Sequence, residues 1–397
     1  VNRNTKLKFK SQAEHPSDYK RRDQVNIKTT LKASVAAAAL VAVAAPGVSS
    51  QANASGINDA GDNNGVTISG QLARSILLMD NGNDSEIAHV DGGNDTNSRL
   101  RILVSGQLTE SIAVGGVWEA NLPSSNAAGS ASVSANSVTA AGDTGAFGFR
   151  KTDITFTHSS YGKLYIGQAE TSSDNKPSLD STGNNNAGMT YGGAILLNTK
   201  ATNVNGSTAG SHFSSYFGGR DDRIRYDTPD MYGFKLSGSL IQGDAWDVGL
   251  TYGATYGDFQ VAAAGQYKEV DSATTRSNYG AGLAVKHSSG ISAGAHYGRE
   301  SNRTHNTNIN GLAWGAEVGY TTSALSNLGS TSATLVYVSS TEAAVDELDA
   351  TLWGFHVKQG LPAGVDVFAS YEISEFSNTG DTFDDVSTAL VGTQISF

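Results

Sequence analysis

The sequence predicts an all-β fold, a sixteen-stranded antiparallel transmembrane β-barrel, and three observations lead there. Apolar residues recur with period 2 along segments of seven to fourteen residues. Period 2 places such residues on one face of a sheet. The segments number sixteen, the even count expected of a single-chain bacterial barrel, and short and long connections alternate between them.

In chain order the segments are 66–79, 98–106, 112–121, 150–158, 163–169, 222–228, 233–240 and 246–254, then 259–267, 279–287, 291–299, 311–321, 332–340, 351–358, 364–373 and 386–396. The clearest puts Trp246, Val248, Leu250, Tyr252 and Ala254 on one face and Asp247 and Thr251 on the other. Val365, Val367, Ala369, Tyr371 and Ile373 repeat the pattern against Asp366 and Glu372. Pro123, Pro177, Pro229 and Pro362 fall between segments, where a missing ladder donor does no harm. The gaps at 107–111, 159–162, 229–232, 255–258, 288–290, 322–331 and 359–363 are mostly turns. Those at 80–97, 122–149, 170–221, 241–245, 268–278, 300–310, 341–350 and 374–385 are mostly loops. A soluble sandwich has no reason to sort its connections by parity.

Composition narrows the function. The 397 residues include 46 Gly, 6 Pro and no Cys, and 16% are charged. That excludes a disulfide scaffold, a Cys-ligated metal and a thiol nucleophile. A formal net charge of −11 argues against nucleic acid. Residues 33–45 form an uncharged apolar run behind Lys28 and Lys32, broken by Pro46-Gly47 and followed by Ala52-Asn53-Ala54. This reads as a secretory signal peptide, too short to span a bilayer as a helix. Residues 1–54 are thus an amino-terminal extension plus signal peptide, with translation expected to start near Val25, and 55–397 form the barrel domain. The extension and signal hold 9 Lys/Arg and 3 Asp/Glu, leaving 18 basic and 35 acidic residues, net −17, in the exported part.

Four stretches carry a family resemblance. They are Gly65-Val-Thr-Ile-Ser-Gly-Gln-Leu72, Tyr161-Gly-Lys-Leu-Tyr-Ile-Gly-Gln168, Asp222-Arg-Ile-Arg-Tyr-Asp-Thr-Pro229 with Gly233-Phe-Lys-Leu-Ser237, and the terminal Leu390-Val-Gly-Thr-Gln-Ile-Ser-Phe397. With them, 55–397 resembles the Gram-negative trimeric general-diffusion porins. The resemblance implies a passive channel for small hydrophilic solutes and ions, without cofactor. It also implies a homotrimer in the lipid and lipopolysaccharide of the outer membrane. The outer-membrane insertion machinery would read the terminal Phe397. The long third loop, here 170–221, would fold inward and narrow the channel.

Alternation assigns the pore wall. Leu100, Ile102 and Val104 face lipid, so Arg99 and Arg101 face the lumen; Ile224 and Tyr226 face out, so Arg223 and Arg225 face in. A cation on the lipid face costs about 2–4 kcal/mol at the midplane. With Ile154 and Phe156 outward, Lys151 joins this basic wall and Arg150 stays outside, unless a bulge exchanges them. Arg74 stays open between the two faces. Glu170, Asp174 and Asp180 supply acid in the loop. The resemblance implies a constriction in which acidic loop and basic wall face each other and set ion preference. The alternative for the acids is solvation of a surface loop. Tyr165, Tyr226, Tyr252, Tyr267, Tyr297, Tyr320, Tyr371 and Trp246 lie near segment ends, as interfacial girdles require.

Other chemistry is poorly supported. Gly290-Ile-Ser-Ala-Gly294 matches a nucleophile-elbow string but sits at an alternating strand. His287, His296 and His356 fall on separate segments, and the acids of 80–97 have no EF-hand spacing. A substrate-selective channel would need an inward aromatic track. A secreted soluble β protein or adhesin would need no membrane, and an outer-membrane hydrolase would need a catalytic constellation. The export reading makes a direct prediction: amino-terminal sequencing of outer-membrane material begins at Ser55, and another start overturns it.

Overall fold

The structure, a computed structural model, describes residues 64–83, 85–91, 98–121, 132–134, 137–139, 148–174, 212–213, 216–270, 275–302, 311–342, 348–379 and 382–397. The signal peptide expected within 1–54 and the loop residue Asp180 lie outside these residues.

The chain opens with β1 (Gly65–Asp80), β2 (Ser85–Asp91), β3 (Arg99–Thr109) and β4 (Ile112–Asn121). A separate hairpin follows, β5 (Ser132–Ser134) with β6 (Ser137–Thr139). The main sheet continues through β7 (Gly148–His158), β8 (Gly162–Glu170), β9 (Arg220–Asp227), β10 (Phe234–Ile241), β11 (Trp246–Tyr256) and β12 (Phe259–Glu269). It ends with β13 (Thr275–His287), β14 (Ile291–Asn302), β15 (Leu312–Thr322), β16 (Thr331–Thr341), β17 (Asp349–Leu361), β18 (Val365–Ser377) and β19 (Val386–Ser396). From β3 onward, leaving out the separate β5–β6 hairpin, each strand pairs antiparallel with the next along the chain, and β1 pairs with β19 from Gln71↔Ser396 to Asp80↔Ser387. The sheet is therefore closed. Hydrocarbon offers backbone groups no partner, so closure is what lets strands cross it.

β2 pairs with Arg74–Asp80 of β1, and β3 with Gly65–Gln71. The two lie end to end as one stave, so the 17 strands of the sheet make the sixteen expected staves. The sequence reading placed 85–91 in a loop. It hid there because each face mixes apolar with polar residues, Ile87 and His89 outward and Glu86, Ala88 and Val90 inward, so period 2 disappears. The stretch 122–149, also read as loop, contains the β5–β6 hairpin.

Short turns at 110–111, 159–161, 257–258 and 288–290 share a rim with the carboxy-terminus. This is the periplasmic rim of such a barrel. Outward side chains form aromatic pairs near the strand ends: Trp118–Phe149 at 5.3 Å, Trp246–Tyr267 at 5.5 Å and Tyr337–Trp353 at 4.5 Å between centroids. Such girdles hold the barrel at the two interfaces. Tyr165 departs from the girdle expectation, since it shares the inward face with Arg225, its register partner.

The inner wall is not uniformly polar. Leu77 and Met79 of β1, Val90 of β2, Val336 and Val338 of β16, Leu352 of β17, Phe376 of β18 and Leu390 of β19 form a buried cluster with Phe213. Runs such as Ile76-Leu-Leu-Met79 are apolar throughout because one face points out of the barrel and the other meets this cluster. Phe213 belongs to the connection between β8 and β9 and packs its ring 6.0 Å from that of Phe376.

At the seam, Phe397 donates its N–H to Gly70 O at 3.0 Å and accepts from Gly70 N–H at 2.8 Å. A Cβ on Gly70 would lie 2.8 Å from the Phe397 ring, so only glycine leaves that ring its seat. Deleting Phe397 removes both bonds and exposes the last stave. Assembled, heat-modifiable barrel should fall several-fold on gels while periplasmic export continues; an unchanged yield would contradict this role.

Candidate functional site

The basic wall is built by neighbouring strands. Inward positions of β3, β4, β7, β8 and β9 bring Arg101 opposite Glu119, Lys151 opposite Glu119, and Gly167 opposite both Asp153 and Arg223. Arg101 donates through Nε to Glu119 Oε2 at 2.7 Å, and Arg150 through Nε to Glu119 Oε1 at 2.9 Å. Glu119 is fully buried between them. A register shift between Glu119 and Ala120 lets both Arg150 and Lys151 take part. The bulge thus brings Arg150 in without expelling Lys151, whose Nζ lies 2.5 Å from Glu170 Oε1. Arg74 is settled too: it alternates outward with Leu72 and Ile76.

Arg223 and Arg225 face inward as read from the sequence, and both are buried. Their partners were not foreseen. Arg223 grips Asp153 with both terminal nitrogens, at 2.8 and 2.9 Å. It also donates to the carbonyls of Gly167 at 2.8 Å and Glu170 at 3.0 Å. Arg225 holds Asp227 at 2.7 and 3.1 Å and donates to Thr171 O at 2.9 Å. The Tyr165 ring lies beside both, its centroid 5.6 Å from the Arg223 guanidinium carbon and 5.4 Å from that of Arg225. Forked, charge-assisted bonds of this kind are directional as well as strong. Arg99 occupies the next inward position of β3, opposite Asn121 and Gln71.

The start of the β8–β9 connection is bonded to this wall. Asp247 of β11 accepts the N–H of Ser172 at 3.2 Å and of Ser173 at 2.9 Å, and the Ser173 hydroxyl at 2.6 Å. Ser239 of β10 accepts the Ser172 N–H at 2.8 Å. A Cβ on Gly249 would come within 2.1 Å of Ser172 O, so the wall is bare where the chain presses on it. The returning end is held similarly, with Gly218 N–H donating to Ser173 O at 3.0 Å and Gln266 Nε2 to Tyr216 O at 2.6 Å. Between them, His212 lies beside Phe376 with both ring nitrogens unbonded, and burial lowers its pKa to about 4. Burial likewise pushes the Tyr216 hydroxyl above its ordinary range.

The structure therefore redistributes the expected site. Among the acids read from the sequence, Glu170 meets the wall through Lys151, while Asp174 donates its N–H to Thr171 O within the loop root. Glu119, Asp153, Asp227, Asp247 and Tyr165 were missed. Period 2 contained the signal: Asp227 is in phase with Arg223 and Arg225, and Asp153 with Lys151. Ser292 of the nucleophile-elbow string is an inward residue of β14, opposite Gly319.

The sequence matches the family model for Gram-negative porins over residues 34–379. No curated protein sequence gives a significant match. Among solved structures, an anion-selective porin from Comamonas acidovorans is 14% identical, with a TM-score of 0.57 over 84% of this chain and 100% of that one. The trimer form of OmpT, an outer membrane protein of Vibrio cholerae, is 16% identical, with 0.55 over 85% and 100%. OmpF of Salmonella typhi, in complex with daunomycin, is 14% identical, with 0.55 over 86% and 100%. A closed barrel of sixteen staves and a match over most of the chain define a class, the passive channels of the outer membrane. The chain belongs to the Gram-negative porin family.

The pairing at Arg223 has a measurable consequence. Removing one partner of a buried ion pair typically costs about 3–5 kcal/mol, because the other charge is left uncompensated. Arg223→Ala should therefore lower barrel stability markedly in denaturant titration. Arg223→Met with Asp153→Leu should cost much less. Equal losses would mean that the pair does not act as a unit.

Proposed function

We propose that this porin passes small hydrophilic solutes and ions through a lumen narrowed by the β8–β9 connection, 171–219, folded inward and held at both ends. The carrying observation is the seat of its root: Arg225 donates to the Thr171 carbonyl, and Asp247 accepts from Ser172 and Ser173. Phe213 on Phe376 supplies a contact on a distant part of the wall. Arg101, Lys151, Arg223 and Arg225 then serve chiefly as positioning groups, because Glu119, Glu170, Asp153 and Asp227 neutralise them at close range. Arg99 adds positive charge to the same side. The channel's ion preference follows from this small local surplus set against an acidic chain.

The functional unit in this reading is a homotrimer. Family membership supports it, as does the likeness in fold to the OmpT trimer form. Its surroundings are outer-membrane lipid and lipopolysaccharide. The insertion machinery reads the strand ending in Phe397, and a signal peptide ending at Ala54 directs export. Transport needs no catalytic group, since flux requires a wetted path and a narrow place.

Asp247→Ala tests the seat. The Ser173 N–H and hydroxyl lose their acceptor, the Ser172 N–H keeps only Ser239 Oγ, and the root loosens. In planar bilayers the variant should conduct more per channel and with more open-state noise than the parent. Conductance and noise equal to the parent's would show that the root does not set the narrow place.

A further inference from the structure

His212 stands in the returning part of the β8–β9 connection, just before Phe213, and is 1% exposed. Its ring lies edge-on to that of Phe376 at 5.6 Å, and the Phe213 ring reaches the same partner at 6.0 Å. The seat is the apolar cluster of β1, β2 and β16 to β19, with Phe383 packed against it. Neither nitrogen of the His212 ring has a hydrogen-bond partner among the described residues. Buried polar groups are nearly always bonded, so this one calls for an explanation. A leucine would fill the same place without that cost, and stability alone does not account for an imidazole there.

The charges on the surrounding wall do not hold it. On the inner faces of the cluster strands the ionisable groups are Glu86 of β2, His356 and Lys358 of β17, and Glu372 and Asp366 of β18. Asp384 and Asp385 follow Phe383 in the chain. His356 and Glu372 bond each other at 2.9 Å, and Glu372 is four residues from Phe376 along β18, about 13 Å. Burial is what lowers the His212 pKa to about 4. Beyond Phe213 the chain crosses to β12, where Gln266 donates to the Tyr216 carbonyl. Tyr216 bends there at φ 53°, a left-handed conformation that is strained for a residue with a side chain. The contact at Phe376 has to outweigh that local cost.

We propose that His212 and Phe213 form a latch that holds the returning part of the β8–β9 connection on the β16–β19 wall, and that protonation of His212 opens it. This rests on the reading that 171–219 narrows the lumen, and it adds what releases the narrow place. The neutral imidazole fits an apolar seat; the imidazolium, with a charge and two N–H donors, does not. The sign follows from the lowered pKa. The released ring takes a proton near its ordinary value of about 6.5, the latched ring only near 4. The latch is therefore intact above about pH 6.5 and weakens about tenfold for each unit below it, until about pH 4.

The absence of cysteine lets one thiol report on the latch. Val338, 0% exposed within the cluster, is replaced by Cys, and its rate of reaction with an impermeant thiol reagent is divided by that of Ser160→Cys on an exposed turn. The ratio is followed between about pH 7 and about pH 4, with single-channel conductance and open-state noise recorded beside it. It should rise by about tenfold per unit below about pH 6.5, with the noise rising in step. Adding His212→Leu should flatten both, while adding His356→Gln should leave the rise in place. A ratio that ignores pH, or one that rises as steeply with His212→Leu, overturns the latch. If the ratio follows pH through His212 while conductance and noise do not, the latch stands and the reading that 171–219 narrows the lumen falls.

Discussion

The ladder between β1 and β19 is the interaction on which the rest depends. A barrel in hydrocarbon has no spare partner for backbone N–H and C=O groups, so an open edge there would leave a whole row unsatisfied. The ten register pairs from Gln71↔Ser396 to Asp80↔Ser387, with the Gly70–Phe397 pair beneath them, remove that edge. Closure then fixes which side chains see lipid and which see the lumen. Every later feature, from the girdle to the seat of the loop, inherits that sorting.

Inside the barrel, charge is used locally. Arginines on the inner wall need not be free charge facing the solute. Arg223 and Arg225 are buried, each holds a carboxylate in a fork, and each spends a remaining donor on a carbonyl, Arg223 on Glu170 O at the end of β8 and Arg225 on Thr171 O where the β8–β9 connection begins. Removing either group costs more through the carboxylate left behind than through lost attraction to passing ions. The wall and the loop root are one bonded unit, with the Tyr165 ring beside both guanidinium groups.

Much of the fold was legible because period 2 is a local signal. It gave the staves and the inward facing of Arg99, Arg101, Arg223 and Arg225. What it could not give was register, which decides which inward acid meets which inward base. Asp153 and Asp227 were visible as inward residues, but only the β7–β8–β9 pairing sets Asp153 beside Arg223. β2 escaped because each of its faces mixes apolar with polar residues and the alternation is lost. Arg150 escaped because one bulge defeats any parity count. Asp247 was read as inward, yet nothing local said that Ser172 and Ser173, seventy-odd residues away, would bond to it.

The central claim is that Arg223 and Arg225 act by their forked geometry and not by their charge alone. Lysine keeps the charge and loses the fork. The most direct measurement is the single-channel conductance and low-salt reversal potential of Arg223→Lys/Arg225→Lys beside the parent. If the fork seats the loop, conductance and open-state noise rise while the reversal potential moves little. If both quantities match the parent's, lumenal charge is the whole contribution of these residues, and the account of the seat fails.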